Sequence, residues 1–145
     1  MSREREAYRW FTPINTRWAD NDIYGHVNNV VYYAYFDTVA NRYLIEEGRL
    51  DIHKGEVVGF VVSSHCDYFS PVAFPNPLEG GFRVNRLGTS SVEYGIAIFK
   101  KGADEACAAG TFTHVFVDRN SQRPVPIVGP LREALESMLV IDAGA

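Results

Sequence analysis

The sequence predicts an α+β fold: a long central helix wrapped by a curved antiparallel sheet of about five strands, with a short C-terminal helix. Three observations carry this reading. Only one stretch, from about Val27 to Glu47, keeps helical periodicity over many turns. Most of the chain after that stretch reads as strand, in runs broken by short turns rich in Gly, Pro, Ser and Asn. Short connections favour antiparallel neighbours, and one such sheet with one helix is an α+β arrangement.

Residues 1–9 are a polar lead-in, and Trp10 to Ala19 reads as a first strand with Pro13 near its start, where a missing N–H is tolerated. A polar stretch, Asp20 to Asn29, ends in residues suited to capping a helix. In the helix, Val30, Val31, Ala34, Val39, Ala40, Tyr43 and Leu44 recur at helical spacing. Tyr32, Tyr33, Tyr35 and Phe36 fill much of the remaining circumference. That pattern predicts burial on nearly every side, and Gly48 stands where a left-handed cap would stop the helix. Strands are predicted at Val57–Tyr68, Leu78–Leu87, Ser91–Lys100 and Ala106–Asp118, with Val92, Tyr94, Ile96 and Ile98 on one face. Pro130 suits the first turn of a C-terminal helix running to about Val140. Phe82, Phe99, Phe112 and Phe116 are expected on the outer face of the sheet, as apolar surface for a second copy of the chain.

Composition bounds the function. At 145 residues, 46% hydrophobic and 22% charged, the chain reads as a single globular domain over 1–145 with a core at about 10–130. A net charge of −4 disfavours a phosphate-backbone binder, so no nucleic-acid partner is expected. Cys66 and Cys107 cannot build a disulfide framework and read as buried thiols in a reducing compartment. The charged N-terminus lacks the apolar core of a signal peptide, and no apolar run is long enough to span a bilayer. The expectation is a cytoplasmic protein with no membrane partner.

The chemistry is concentrated between Asp20 and Asn29, where two acids, a histidine and two asparagines precede the helix. A helix start leaves backbone N–H groups unpaired and carries a partial positive charge. It can therefore receive an ester or thioester oxygen that gains negative charge on attack. A carboxylate just upstream can serve as nucleophile or as general base on a water. On spacing alone, Asp20 and Asp22 can equally be caps of the turn. Asp20, Asp22 and His26 offer metal-ligand atoms, but their spacing matches no familiar zinc pattern, and no metal is expected. Asp37 is a charge on a mostly apolar helix, about 12 Å beyond its start. It is either functional or paired with an Arg or Tyr of a strand. His65 and His114 read as ordinary strand residues.

These residues resemble a known family. RWADNDIYGHVNNVVYYAYFDTVANRYL is similar to the opening of the hot-dog-fold acyl-CoA thioesterases of the 4-hydroxybenzoyl-CoA thioesterase type, with Trp18, Asp20, Asp22, Gly25, His26, Val27, Asn28 and Asn29 in register. DYFSPVAFPNPLE, RLGTSSVEY and AAGTFTHVFVDRNSQRPVPI are similar to later segments of that family. The resemblance implies a hot-dog fold that assembles as a homodimer or homotetramer, with the active site at the dimer interface. It implies acyl-CoA thioester hydrolysis with no cofactor, coenzyme A being part of the substrate. Asp22 becomes the catalytic carboxylate and the backbone N–H near Asn29 the oxyanion donor. His26 and Asn28 shape the loop and orient water, His26 as a catalytic residue and Asn28 with Gly25 as substrate-binding residues, and Asp37 is a second candidate acid. Thr89, Ser90 and Ser91 occupy the turn that often lies beside the pantetheine arm. Ile23 and Tyr24 are bulkier than the residues usual there, which narrows the acyl entrance. A non-hydrolytic acyl-CoA or acyl-carrier-protein binder of the same fold is the alternative.

Overall fold

The computed structural model describes residues 2–140. Five strands appear in chain order: β1 (Trp10–Ile14), β2 (Val57–Tyr68), β3 (Leu78–Leu87), β4 (Ser91–Lys100) and β5 (Ala108–Asp118). Helix α1 (Asn29–Glu46) lies between β1 and β2, and α2 (Gly129–Ser137) comes after β5. They form one antiparallel sheet in the order β1-β3-β4-β5-β2. β2, β3 and β4 begin and end where their alternation and turn residues predict.

The two outer elements are shorter than expected, for a tertiary reason. β1 stops at Ile14 rather than running to Ala19, because Ile14 pairs with Leu78, the first residue of β3. Beyond that point there is no strand left to pair with. α2 stops at Ser137, and Met138 to Val140 leave the helix to bond β3. The Val84 amide donates to the Met138 carbonyl (3.0 Å), and the Val140 amide to the Val84 carbonyl (2.9 Å).

Asn28 starts α1, its Oδ1 accepting the Val30 amide at 3.2 Å. At the other end the Leu50 amide reaches back to the Leu44 carbonyl (3.0 Å), and the left-handed residue between is Arg49, with φ 57°. The cap expected at Gly48 is therefore one residue later. Gly48 instead makes room, since a Cβ there would stand 2.7 Å from the Leu44 carbonyl oxygen and 2.8 Å from Leu131.

α1 is not buried on nearly every side. Tyr32, Tyr35, Phe36, Val39, Ala40, Tyr43 and Leu44 face the sheet and its flanks, while Val30, Ala34, Asp37, Thr38, Arg42 and Ile45 are exposed or half-buried. One sheet can cover only one side of a cylinder, so the opposite side stays open in the single chain. The phenylalanine expectation is also corrected. Phe82, Phe112 and Phe116 join the core under α1, and Phe99 is buried on the other face beneath Tyr8 and Phe11. β4 explains the split: Ile96 and Ile98 face the helix, so Ala97 and Phe99 must face away. The N-terminal segment covers that second face, with Arg5 lying over the Phe11 and Phe99 rings.

Candidate functional site

The segment before α1 is folded by its own polar groups. Asp20 is 1% exposed. Its carboxylate accepts the Arg17 amide (2.9 Å), the Arg17 guanidinium (2.9 Å) and the Tyr35 hydroxyl (2.7 Å). Burial pushes this carboxyl up, but the bonds from Tyr35 and Arg17 outweigh it and hold it below the ordinary carboxylate range. The Asp20 carbonyl also accepts the Asn28 amide (2.9 Å), which clasps the loop closed. Asp20 is therefore a structural anchor, and its oxygens are committed.

Between Asp20 and Asn28 the chain makes a small hairpin. Asn21 bridges Val27, and the Asp22 amide donates to the His26 carbonyl at 2.9 Å. The turn closes with the Gly25 amide on the Asp22 carbonyl (3.1 Å), and Gly25 takes φ 83°, a left-handed conformation that glycine adopts without strain. Asn21 Oδ1 accepts the Phe74 amide (3.0 Å), tying the hairpin to the segment after β2. Asp22 is half-buried, and its Oδ1 accepts the Tyr24 amide (2.9 Å). Unlike Asp20, it meets no charged partner among the described residues. His26, Ile23 and Tyr24 face solvent, with Ile23 93% exposed.

The helix start adjoins a cavity of about 280 Å³ lined by Val27, Asn29, Tyr32, Tyr68, Phe69, Ser70 and Pro71. Asn28 has capped the Val30 amide, and the Asn29 amide has no hydrogen-bond partner among the described residues. The Tyr68 hydroxyl donates to the Asn29 carbonyl (3.0 Å), and the Tyr68 ring meets Tyr32 edge-on at 5.1 Å. Burial pushes the Tyr32 phenol up to about 12 and raises Tyr68 as well. Both are neutral donors at physiological pH. Cys66, also behind this wall, is pushed up to about 11 by burial, so it is a thiol and not a nucleophile.

The structure thus gathers Asp22, Gly25, His26, Asn28 and Asn29 into one loop and helix start. Asp37 lies on the same helix but apart, exposed, its Oδ1 bonded to Asn41 Nδ2 at 3.1 Å. The expected strand partner for Asp37 is not what holds it. Thr89, Ser90 and Ser91 are not brought to this site within one chain. Ser91 pairs with Val115, whereas Tyr68 pairs with Ala108 at the other end of β5. Seven residues of strand separate the two ends, roughly 24 Å. That turn is occupied structurally, with the Ser90 carbonyl accepting the Phe116 amide and the Thr89 carbonyl the Ile127 amide, each at 2.8 Å. Sequence reasoning missed Tyr32 and Tyr68 as walls of the site. Tyr68 stood in the DYFSP segment, but nothing local shows that it reaches Asn29.

Comparisons with known proteins agree with this fold. The crystal structure of the PA5185 protein from Pseudomonas aeruginosa PAO1 is 64% identical, covers 94% of this chain and 96% of its own, and superposes with a TM-score of 0.93. A 1,4-dihydroxy-2-naphthoyl-CoA thioesterase from Synechocystis shares the fold at 16% identity, over 88% of this chain and 96% of its own, with a TM-score of 0.78. The Bacillus subtilis protein YsmA is 24% identical over 131 residues, 90% of this chain and 88% of that protein. Among the described residues no helix is long and apolar enough to cross a membrane. The pattern of the thioesterase-like superfamily runs from residue 16 to residue 135, spanning the Asp20–Asn29 hairpin, the whole of α1 and the strands around it, and this chain belongs to that superfamily.

Proposed function

We propose that the protein is an acyl-CoA thioesterase of the 4-hydroxybenzoyl-CoA thioesterase type, acting on small-to-medium or aromatic acyl groups. One observation carries the reading: the unpartnered Asn29 amide stands at the N-terminus of an eighteen-residue helix and opens on an aromatic-walled cavity beside the Asp22 hairpin. In this reading the thioester carbonyl oxygen points at the Asn29 amide, where the helix dipole and the N–H stabilise the developing oxyanion. Asp22 either takes a proton from the water that attacks the carbonyl carbon, or attacks it directly to form an anhydride that water then hydrolyses; in both routes coenzyme A leaves as thiolate and the acyl group departs as the free acid. Asp37 is the second candidate carboxylate. Val27, Tyr32, Phe69 and Pro71 receive the acyl group. No cofactor beyond the substrate's own coenzyme A is required.

The working unit in this proposal is a homodimer, alone or paired into a tetramer. Ile23, Tyr24 and Val30 are exposed around the site, and Phe60, Val61, Val62 and Tyr68 along β2. A second copy added along β2 covers these groups. It also brings the far end of the partner sheet, with its Thr89–Ser91 turn, beside this helix start, because antiparallel addition reverses the strand direction. The location proposed is the cytoplasm.

The test is release of free thiol from a panel of short, medium, long and aromatic acyl-CoAs. The wild-type chain is expected to hydrolyse part of the panel, and Asp22→Asn to lose roughly 10²–10⁴-fold in kcat while still binding substrate. Parental turnover by Asp22→Asn removes Asp22 from the mechanism. A second reading is favoured by the Asp22–Tyr24 bond and by the position of Asp22 off the cavity wall: a non-hydrolytic acyl-CoA or acyl-carrier-protein binder. Tight binding across the panel without thiol release supports that alternative.

A further inference from the structure

Beneath the open side of α1 lies a buried polar pair that the proposed reaction does not use. His114, on β5, is 2% exposed, and its Nδ1 stands 3.0 Å from the hydroxyl of the fully buried Tyr94 on β4. The ring meets Tyr94 edge-on at 5.0 Å and Phe116 at 6.0 Å. On β2 its neighbour is Gly59, where a Cβ would come within 3.1 Å of Nδ1 and 3.2 Å of Phe116. The sheet leaves a slot for this imidazole. Nδ1 is satisfied by Tyr94. Nε2 has no hydrogen-bond partner among the described residues and is not fully buried, so it keeps a small accessible area.

Register shows where it opens. Tyr33 of α1 stacks on Phe112 of β5, with centroids 6.4 Å apart. One helical turn on from Tyr33 is Asp37, and two residues on from Phe112, on the same face, is His114. The helix advances ~6 Å in four residues and the strand ~7 Å in two. Asp37 therefore lies on the His114 side of the helix, near enough for its charge to act on the ring. Asn41 takes one Asp37 oxygen, which leaves Oδ2 for the ring side. The other groups around the ring are Val92 and Tyr94 on β4, Gly59 and Val61 on β2, and Phe116 on its own strand. Asp37 is the one charged group among them.

We infer that His114 is a positioning residue that acts through Asp37: Tyr94 donates to Nδ1 and locks the ring, and Nε2–H, through one water, directs the Asp37 carboxylate toward the open edge at β2. The catalytic meaning of that direction rests on the thioesterase reading, whereas the coupling itself does not. Burial pushes His114 down to about 4, with Asp37 opposing, so the ring is a neutral donor at pH 7.

Two measurements test it. Nitrogen-15 NMR of the imidazole reads tautomer and titration without any substrate. The expected result is the Nε2–H tautomer, with a titration midpoint that falls by about half a pH unit or more in Asp37→Asn, because a favourable charge is lost. An Nδ1–H tautomer, or an unchanged midpoint in Asp37→Asn, overturns the inference. In turnover, His114→Gln can still donate from the Nε2 position and His114→Asn cannot. His114→Gln is expected to keep most of kcat and His114→Asn to lose about tenfold at unchanged KM. Equal loss in both, or the reverse order, overturns it. If neither variant folds, the NMR arm on the wild-type and Asp37→Asn chains decides. A wild-type chain that hydrolyses no acyl-CoA removes the thioesterase reading and leaves the NMR result to judge the coupling.

Discussion

The two edges of the sheet are treated in opposite ways. On one side β3 is covered along its length by two separate segments, β1 up to Phe82 and Met138–Val140 at Val84. Trp10, Tyr43 and Phe82 interlock there, with Tyr43 stacked on Phe82 at 4.4 Å, and the Tyr43 hydroxyl bonds the Ala134 carbonyl of α2 (2.6 Å). On the other side β2 runs for twelve residues with no strand beyond it among the described residues. It carries no Lys, Arg or Pro, the usual guards of an exposed edge. Its one irregularity is the register shift at Val62, which is 59% exposed. A long apolar edge left open beside a well-sealed one is a template for strand addition. Two-fold pairing of identical edges is the simplest way to satisfy it. The helix start, its cavity, Asp37 and His114 all lie toward this open side, and the sealed side carries only packing.

Substitutions at either edge test this contrast. The largest effect is expected from Phe60→Lys combined with Val62→Lys, which sets like charges against each other across a two-fold. Analytical ultracentrifugation should show a monomer, and thioester hydrolysis should fall on the order of a hundredfold, as a misassembled site requires. A dimer with full activity would show that the open edge is not the interface. At the sealed edge the prediction inverts. Leu135→Ala, in the fully buried core of α2, should cost about 2–5 kcal/mol in urea unfolding at fixed protein concentration without changing the oligomeric state. A further effect, of similar size, is pH-dependent. His114 drops from an ordinary 6.5 to about 4 in the folded chain, so the unfolded chain binds the extra proton first. Its contribution is whole above pH 6.5, is lost as the pH falls toward 4, and amounts to roughly 3 kcal/mol. His114→Asn should flatten that part of the stability–pH curve.

Periodicity made β2, β3 and β4 legible to the residue, because alternation and turn chemistry are local. The residues from Asp20 to Asn29 marked the loop and, within two positions, the helix start, since cap bonds close within a few positions. Other features were illegible for the same reason reversed. Whether Phe82, Phe112 and Phe116 face the helix or the far side depends on a phase that the flanking residues do not state. Tyr68 became part of the site only when β2 brought its hydroxyl to the Asn29 carbonyl, thirty-nine positions away. His114 read as an ordinary strand residue because its meaning lies in Tyr94 on the next strand and Asp37 on the helix.

By itself the sequence determined the inventory: which stretches repeat at 3.6 or at 2, and which short polar run stands before the long helix. Tertiary structure alone decided allocation. Asp20 and Asp22 are the same residue type two positions apart, yet Arg17 and Tyr35 consume the first and leave the second with a single backbone bond. The reason is physical. A repeat is written in neighbouring residues, but burial, pairing and the choice of which edge stays open depend on partners that only folding brings within reach.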